Sequence, residues 1–418
     1  MEEIKFGPFV FRASESRLFR DGEALGLTRQ PALVLRVLLE NSGRYVPHAD
    51  MAKSAWGVEA VERHTVVVQI AAIKKCLKEC ARWIRADRKG GYGLFVAGTA
   101  VLLKKGWLCW SRRTSEGLTR ALEWFEKAAE IDGSSLQAYE GMAMAHLLLG
   151  TYSIKPPRQT YPAFCDAHGR AVALGGFTSG RRAERAHGIH IFERRFEEAE
   201  SELLQAKLES PENVTVYVSL TMVYAGTARF KEALAALDQG RVADPLWPTL
   251  AALSVFVHFV AKDFEGAIRS GSRAFELYPY LHLGRAYYAQ ALEYAGRVED
   301  ALREYRLNSM FAPDVPWLRA LEASCLVRHG RHRDAELILN DLEALRRAEY
   351  VDAYYMALLR EAFSDRSGAL AEIERAVEEN SATLFILDVD PQMDVLRSEP
   401  RFINARSRLF TNSSGTAA

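Results

Sequence analysis

The stretch "NVTVYVSLTMVYAGTARFKEALAALDQGRVADP", Asn213 to Pro245, decides the fold of most of this chain. Tyr217, Leu220 and Tyr224 recur at the three-to-four-residue spacing that lines one face of a helix. After a turn at Gly226 to Arg229, Phe230, Ala233 and Leu237 line the matching face of a second helix. Ala233 is small where the two helices cross, because a larger side chain would push them apart. Pro245 lacks the amide hydrogen that a helix needs and closes the unit. The unit then repeats: Ala199, Ala233, Ala267, Ala301, Ala335 and Ala369 keep a 34-residue step, and so do Pro211, Pro245, Pro279 and Pro313. Upstream, Ala121, Phe125 and Ala128 begin an offset unit, and the offset is assigned to a loop from Gly150 to Pro157 that lengthens the second hairpin. About eight helical hairpins are expected between Ala100 and Ser381. Such a stack is an α-solenoid, built to bind rather than to catalyse.

Composition fits a two-part protein of mainly α class. The chain has 418 residues, 49% apolar, with 54 basic and 54 acidic side chains. The longest apolar run, Leu250 to Ala261, is interrupted by Ser254 and His258 and is too short to cross a bilayer. Met1 to Phe9 carries two Glu and no apolar signal core, so the cytoplasm is the expected location. Five cysteines without framework spacing argue for reduced thiols. The zero net charge hides an asymmetry: residues 1–98 hold 16 Lys and Arg against 11 Asp and Glu, and the remainder reverses the excess. Val61 to Val96 alone holds eight basic and three acidic residues, a footprint suited to a phosphate backbone.

The first hundred residues have a different grammar. Ile4 to Phe11 and Arg17 to Arg20 read as short strands, with Asp21-Gly22 as a tight turn. Thr28 is placed to cap a helix with Pro31 in its first turn and Leu33, Val34, Val37 and Leu38 on its buried stripe. His48 to Trp56 is a second helix, Gly57 to Glu62 a loop, and His64 to Ala81 a third helix with Val66, Ile70, Ile73 and Leu77 inward. Ile84 to Ala86 and Tyr92 to Ala97 make a hairpin around Arg88-Lys89-Gly90-Gly91.

Strands, three helices and a basic hairpin in this order resemble the winged-helix effector domain of the OmpR/PhoB transcription regulators. The carrying residues are "LTRQPALVLRVLLENSGRYV" from Leu27, Ala55-Trp56, "HTVVVQIAAIKKCL" from His64 and "IRADRKGGYGLFV" from Ile84. The 34-residue unit is similar to the tetratricopeptide repeat. "GWLCWSRRTSEGLTRALEWFEKAAEID" from Gly106 and "LDVDPQMDVLRSEPRF" from Leu387 look like the repeats and closing segment of bacterial regulators joining the two. The expected domains are 1–98 winged helix, 99–386 repeat solenoid and 387–418 closing segment and tail.

The resemblance implies that the third helix enters the major groove of double-stranded DNA and the wing reaches the adjacent minor groove. Thr65, Gln69, Lys74, Lys75 and Lys78 are the candidate contacts on the helix, with Gln69 suited to adenine and the lysines to guanine edges or phosphate. Arg85, Arg88 and Lys89 are the candidates on the wing. Glu59 and Glu62 lie in the loop where family members often touch RNA polymerase. Two departures stand out: Val67, Ala71 and Ala72 occupy the outward helix face, and Gly93 stands where relatives carry Arg. Missing phosphate contacts weaken binding, so either a homodimer on paired half-sites restores affinity or the domain contacts protein instead.

No phosphoacceptor receiver precedes the winged helix in this sequence and no membrane helix follows it, so input is expected through the repeats, from a protein or small-molecule effector. Arg285, Gln290, Arg319, Glu322 and Tyr354 are the candidates for lining a concave groove. His187 with His190, and Cys325 with His329 near His332, have helical ligand spacing but no second half, and neither is assigned a metal. Cys76 and Cys80, four apart on the third helix, are read as packing residues. No phosphate loop, nucleophile elbow or HExxH motif is present, so neither enzyme nor cofactor is expected. The reading is a DNA-binding transcription regulator, expected from the resemblance to be an activator, with a repeat-based adaptor whose winged helix has lost DNA binding as the alternative.

Overall fold

The computed structural model describes residues 3–411 apart from Lys89, Ala97, Pro279, Tyr280 and Asp314. Lys89, expected on the wing, and Pro279, expected to close a repeat, lie outside the described residues. The chain forms two compact units. The first contains Met1–Arg113, Gly117–Ala145 and Phe164–Gly176, and the second Thr114–Glu116, His146–Ala163 and Phe177–Ala418.

The first unit opens with an antiparallel meander of β1 (Glu3–Phe6), β2 (Phe9–Arg12), β3 (Arg17–Arg20) and β4 (Glu23–Ala24). The single strand expected from Ile4 to Phe11 is two, folded back at Gly7-Pro8 so that Phe6 pairs with Phe9. Gly7 sits at φ +59°, and a Cβ there would lie 2.4 Å from the Trp83 ring. Only glycine allows this turn to pass so close to the indole. Asp21-Gly22, both at positive φ, turns β3 into β4 as read from the sequence.

Three helices follow: α1 (Arg29–Glu40), α2 (His48–Trp56) and α3 (Arg63–Leu77). Thr28 occupies the N-cap position of α1, but its side chain makes no capping bond. The third helix ends at Leu77 rather than Ala81: Lys78 swings to φ +49° and a 3-10 turn carries the chain over Lys78–Trp83. Strands β5 (Ile84–Ala86) and β6 (Tyr92–Leu94) form the wing hairpin. Phe6, Phe9, Phe11, Leu18, Leu35, Leu38, Val66, Ile73, Leu77 and Leu94 share one core. Each contributes about 1.5–3 kcal/mol on removal from water.

The meander is bonded directly to the first helical hairpin, α4 (Thr99–Trp110) and α5 (Ser115–Ile131), at its far end. Gly7 N donates to Ile131 O at 2.6 Å and Gly133 N to Lys5 O at 2.8 Å. Asp132, 2% exposed, accepts Ser42 Oγ at 2.5 Å and Ser134 Oγ at 2.6 Å. Phe125 of α5 fills the space left by two glycines, Gly106 on α4 and Gly141 on α6 (Leu136–Thr151).

Eight helical hairpins stand among the described residues. After α4/α5, and α6 with α7 (Pro157–Gly175), come α8 (Ser179–Gly188) with α9 (Phe196–Glu209) and α10 (Val214–Gly226) with α11 (Phe230–Ala243). Next are α12 (Pro248–Val260) with α13 (Phe264–Leu277) and α14 (His282–Tyr294) with α15 (Val298–Phe311). The last are α16 (Pro316–Arg328) with α17 (His332–Leu345) and α18 (Ala353–Ala362) with α19 (Arg366–Glu379), before the terminal α20 (Pro400–Thr411).

All six alanines of the 34-residue ladder have no exposed surface. A second ladder with the same step lies in the turns: Arg194, Ala228, Lys262, Gly296, Gly330 and Ser364 all have φ between +55° and +79°. Each hairpin therefore turns through one left-handed residue, and only two of the six are glycine. The loop expected from Gly150 begins at Tyr152, because α6 runs on to Thr151.

Candidate nucleic-acid interface

Burial of Val66, Ile70, Ile73 and Leu77 fixes the rotation of α3. The 3.6-residue period then turns His64, Val67, Val68, Ala71 and Lys75 outward, and all five are exposed, as is Arg63 at the first residue of the helix. Among the residues singled out in the sequence, Lys75 is on this face. Thr65 and Gln69 are half-buried on one flank and Lys74 half-buried on the other. Lys78 is exposed but belongs to the break after the helix. Val67 and Val68 are 39% and 46% exposed, so the outermost strip of α3 is aliphatic as well as basic.

On the hairpin, Arg85 and Arg88 are exposed, and the Arg85 guanidinium lies 5.3 Å from the Phe95 ring centre. Asp87 shapes the turn, accepting Gly91 N at 2.6 Å on its carboxylate while its own amide donates to Gly91 O. The absence of Arg at position 93 has a steric cause. A Cβ on Gly93 would lie 2.5 Å from the Arg44 carbonyl oxygen. Sequence reasoning missed Arg63: its guanidinium comes within about 4 Å of where a Cβ on Gly90 would stand, so the helix start and the wing tip adjoin. That proximity has no local signal, since 27 residues separate the two.

Salt bridges distinguish this surface from the solenoid. Among the described residues, no salt bridge involves Arg63, Lys74, Lys75, Lys78, Arg82, Arg85 or Arg88, whereas Arg20 nearby pairs with Glu79. In the repeats, by contrast, Arg229 pairs with Glu232, Arg297 with Asp300 and Arg331 with Asp334 at corresponding turns. Cations without salt-bridge partners keep their charge available to phosphate. Glu59 and Glu62 are exposed at the loop between α2 and α3. Cys76 is in α3, but Cys80 lies past its end, and burial raises both thiols above their usual range.

The expected groove residues are placed differently. Arg285 is buried in an ion pair with Glu304, beside Phe275 and Phe311, and points into the hairpin packing. Arg319 pairs with Asp341 at 2.8 Å and Glu322 with Arg306 at 3.6 Å. Gln290 and Tyr354 do face the interior of the second unit, but the chain's own C-terminal segment occupies it. Gln392 Nε2 donates to Gln290 at 2.7 Å, and the Tyr354 hydroxyl donates to buried Asp390 at 2.7 Å. The loop after α6 enters the same interior: Ser153 Oγ donates to Asp352 at 2.5 Å, and Ser381 and Thr383 donate to that carboxylate as well. At Gln290 and Tyr354 the expected open groove is thus corrected to a filled one.

The ligand pairs resolve by their neighbours. His187 has Thr151 Oγ1 at 3.3 Å and Ser219 Oγ at 3.4 Å, while His190 is fully buried against Phe196 and Phe385. Cys325 and His329 do gain a third group, Glu293 from α14. Arg328 already takes both oxygens of that carboxylate, at 2.7 and 3.0 Å, and burial holds the Cys325 thiol well above its usual range. This is an ion-paired packing site. His332 is outside the group and lies near Phe363.

No helix of the described residues is long and apolar enough to cross a membrane. Residues 22–94 match the family model described as "Transcriptional regulatory protein, C terminal". No curated protein matches the chain. Among solved structures, the human IFIT1 dimer with m7Gppp-AAAA is similar at TM-score 0.54 and 14% identity, over 83% of this chain and 77% of that one. A tetratricopeptide repeat protein from Parabacteroides merdae is similar at TM-score 0.41 and 11% identity, over 65% and 98%. Yeast Tom70 is similar at TM-score 0.43 and 14% identity, over 77% and 69%. Family match, strand and helix order, and the 34-residue hairpins agree: this chain carries an OmpR/PhoB-type winged helix followed by a tetratricopeptide-like solenoid.

Proposed function

We propose that this protein is a DNA-binding transcription regulator, working in the cytoplasm, that reads double-stranded DNA with α3 and the wing and receives its input through the solenoid. The observation that carries the reading is the cluster of cations without salt bridges on α3, the following turn and the wing. Lys75 and Arg63 are the principal phosphate or base contacts on the helix, and Arg85 and Arg88 those on the wing. Thr65, Gln69 and Lys74 serve at the groove walls, and Lys78 touches the backbone. Exposed Val67, Val68 and Ala71 then meet thymine methyl groups, for which apolar side chains are the natural partners. Glu59 and Glu62 are available to RNA polymerase, which would make the protein an activator. Residues 1–98, 99–386 and 387–418 are the proposed division into DNA-binding, repeat and closing parts.

The aliphatic strip also supports a second reading, in which α3 docks on a protein and the chain is an adaptor. Binding of the full-length protein to pooled fragments of its own genome separates the two. Selective retention that weakens with salt supports the regulator. Replacing Arg63 or Lys75 by Ala then lowers the slope of log K against log salt by about 0.9 for each phosphate contact removed. No retention at low salt refutes DNA reading and leaves the adaptor.

A further inference from the structure

Three arginines of the winged helix lie over aromatic rings: Arg12 over Phe19 at 4.4 Å, Arg20 over Phe9 at 5.5 Å and Arg85 over Phe95 at 5.3 Å. Arg12 also pairs with Glu3, and Arg20 with Glu79. Arg85 is exposed and has no salt bridge among the described residues, so the ring is what restrains it. The wing sheet builds the platform beneath. Residues 43–46 add a third strand beside β6, with Gly43 N donating to Leu94 O at 2.9 Å and Val46 N to Tyr92 O at 2.8 Å. Arg85 and Gly93 are direct cross-strand partners and share the face opposite buried Ile84 and Leu94, and Phe95, two residues on, returns to it. Gly93 puts no side chain on that face. A Cβ there would lie 2.7 Å from Phe95 Cε2, so the Phe95 ring folds over the glycine. Tyr45 adjoins the ring at 5.0 Å, and Phe95 N donates to Trp83 O at 2.7 Å, which fixes the backbone that carries it.

We infer that Phe95 is a positioning residue: braced by Tyr45, it holds the Arg85 guanidinium preorganised for a DNA phosphate. The inference rests on the reading of the wing as a DNA contact and adds to it the group that sets the cation. A guanidinium stacked by its face keeps its N–H donors at the edge, in the plane that meets two phosphate oxygens. An exposed arginine loses much rotamer freedom when it binds, and one already lying on a ring loses less. Asp87, the one acid of residues 84–94, turns its carboxylate to Gly91 N and does not compete for the cation. Arg88, exposed at the turn, has no such ring among the described residues.

Binding of the full-length protein to a mixed-sequence duplex of about 30 base pairs, followed by fluorescence anisotropy across salt, is the test, since phosphate contacts do not depend on sequence. Arg85→Ala should weaken binding about eightfold at about 0.1 M salt and lower the slope of log K against log salt by about 0.9, the signature of one phosphate contact. Phe95→Leu should weaken it about threefold, the scale of an exposed cation–π contact, and Phe95→Tyr should keep the wild-type affinity. In the Arg85→Ala background, Phe95→Leu should have no further effect. Equal losses from Phe95→Leu in both backgrounds would make the ring merely structural and overturn the inference. A loss in Arg85→Ala with none in Phe95→Leu overturns it too, as does no loss in Arg85→Ala, and each of these leaves DNA binding standing. No binding by the wild type at low salt removes the DNA reading and the inference with it.

Discussion

Replacing Asp132 by Ala tests whether the winged helix is built onto the first repeat or merely follows it. The carboxylate accepts Ser42 Oγ from the end of α1, and both Ser134 Oγ and Ser134 N from its own turn. Ser42 and Ser134 are themselves buried, so truncation leaves three polar groups with no acceptor and no water. Each such group costs about 1–3 kcal/mol, reduced by relaxation, so a total of about 3 kcal/mol is expected. Asn keeps an acceptor for Ser134 and offers an amide that the Ser42 hydroxyl can accept, so Asp132→Asn should cost about 1 kcal/mol or less. Burial raises the Asp132 carboxyl above its ordinary range, so its contribution is present in acid and declines as pH rises through the folded-state value. Asn mimics the protonated form. Hydrogen exchange of the full-length chain is the assay. For Asp132→Ala, amides in β1, β2 and the turn after α5 should exchange about a hundredfold faster, while α12 to α15 keep their protection. Unchanged exchange in β1 and β2 would refute the coupling, and equal losses in Asn and Ala would refute the accounting by unsatisfied groups.

Gly141→Ala should destabilise the first unit by about 1–3 kcal/mol, because the added Cβ would lie 2.5 Å from the Phe125 ring; a neutral thermal melt would show that the ring has room to move. Ala228→Gly should raise stability by about 1 kcal/mol, since glycine relieves the left-handed turn between α10 and α11, and chemical denaturation reads the change. His190 is fully buried with neither ring nitrogen hydrogen-bonded among the described residues, and burial, with His187 and Arg194 nearby, holds its pKa well below the ordinary value. Its share of stability is present above about pH 6.5 and falls as acid protonates the unfolded chain, by up to about 1.4 kcal/mol per pH unit. His190→Leu should therefore flatten the decline in urea midpoint between pH 7 and 5, leaving the smaller part due to half-buried His146, and an unaltered decline would contradict this assignment.

The sequence by itself determined the features that repeat or depend on near neighbours. The 34-residue alanine ladder gave the hairpins because the close helix crossing excludes larger side chains in every unit. The inward stripe of α3 was equally plain, since burial follows the helical period. Where α3 stops was less legible: Leu77 to Ala81 continues the pattern, but Lys78 adopts a left-handed backbone and Cys80 leaves the helix. Other features arose only when distant segments met. Arg63 beside Gly90, Glu293 beside Cys325, and Gly93 beneath the Arg44 carbonyl are each set by packing between separate elements. The filled interior is the largest such case. Gln290 and Tyr354 face inward as their helical positions require, yet whether a solenoid's interior is open depends on how far it curls and which segment returns to it. Ser153 meets Asp352 across 199 residues, and Gln392 meets Gln290 across 102. A repeat pattern encodes the contact of each hairpin with the next, but its accumulated curvature, and therefore what fits inside, is a property of the whole stack.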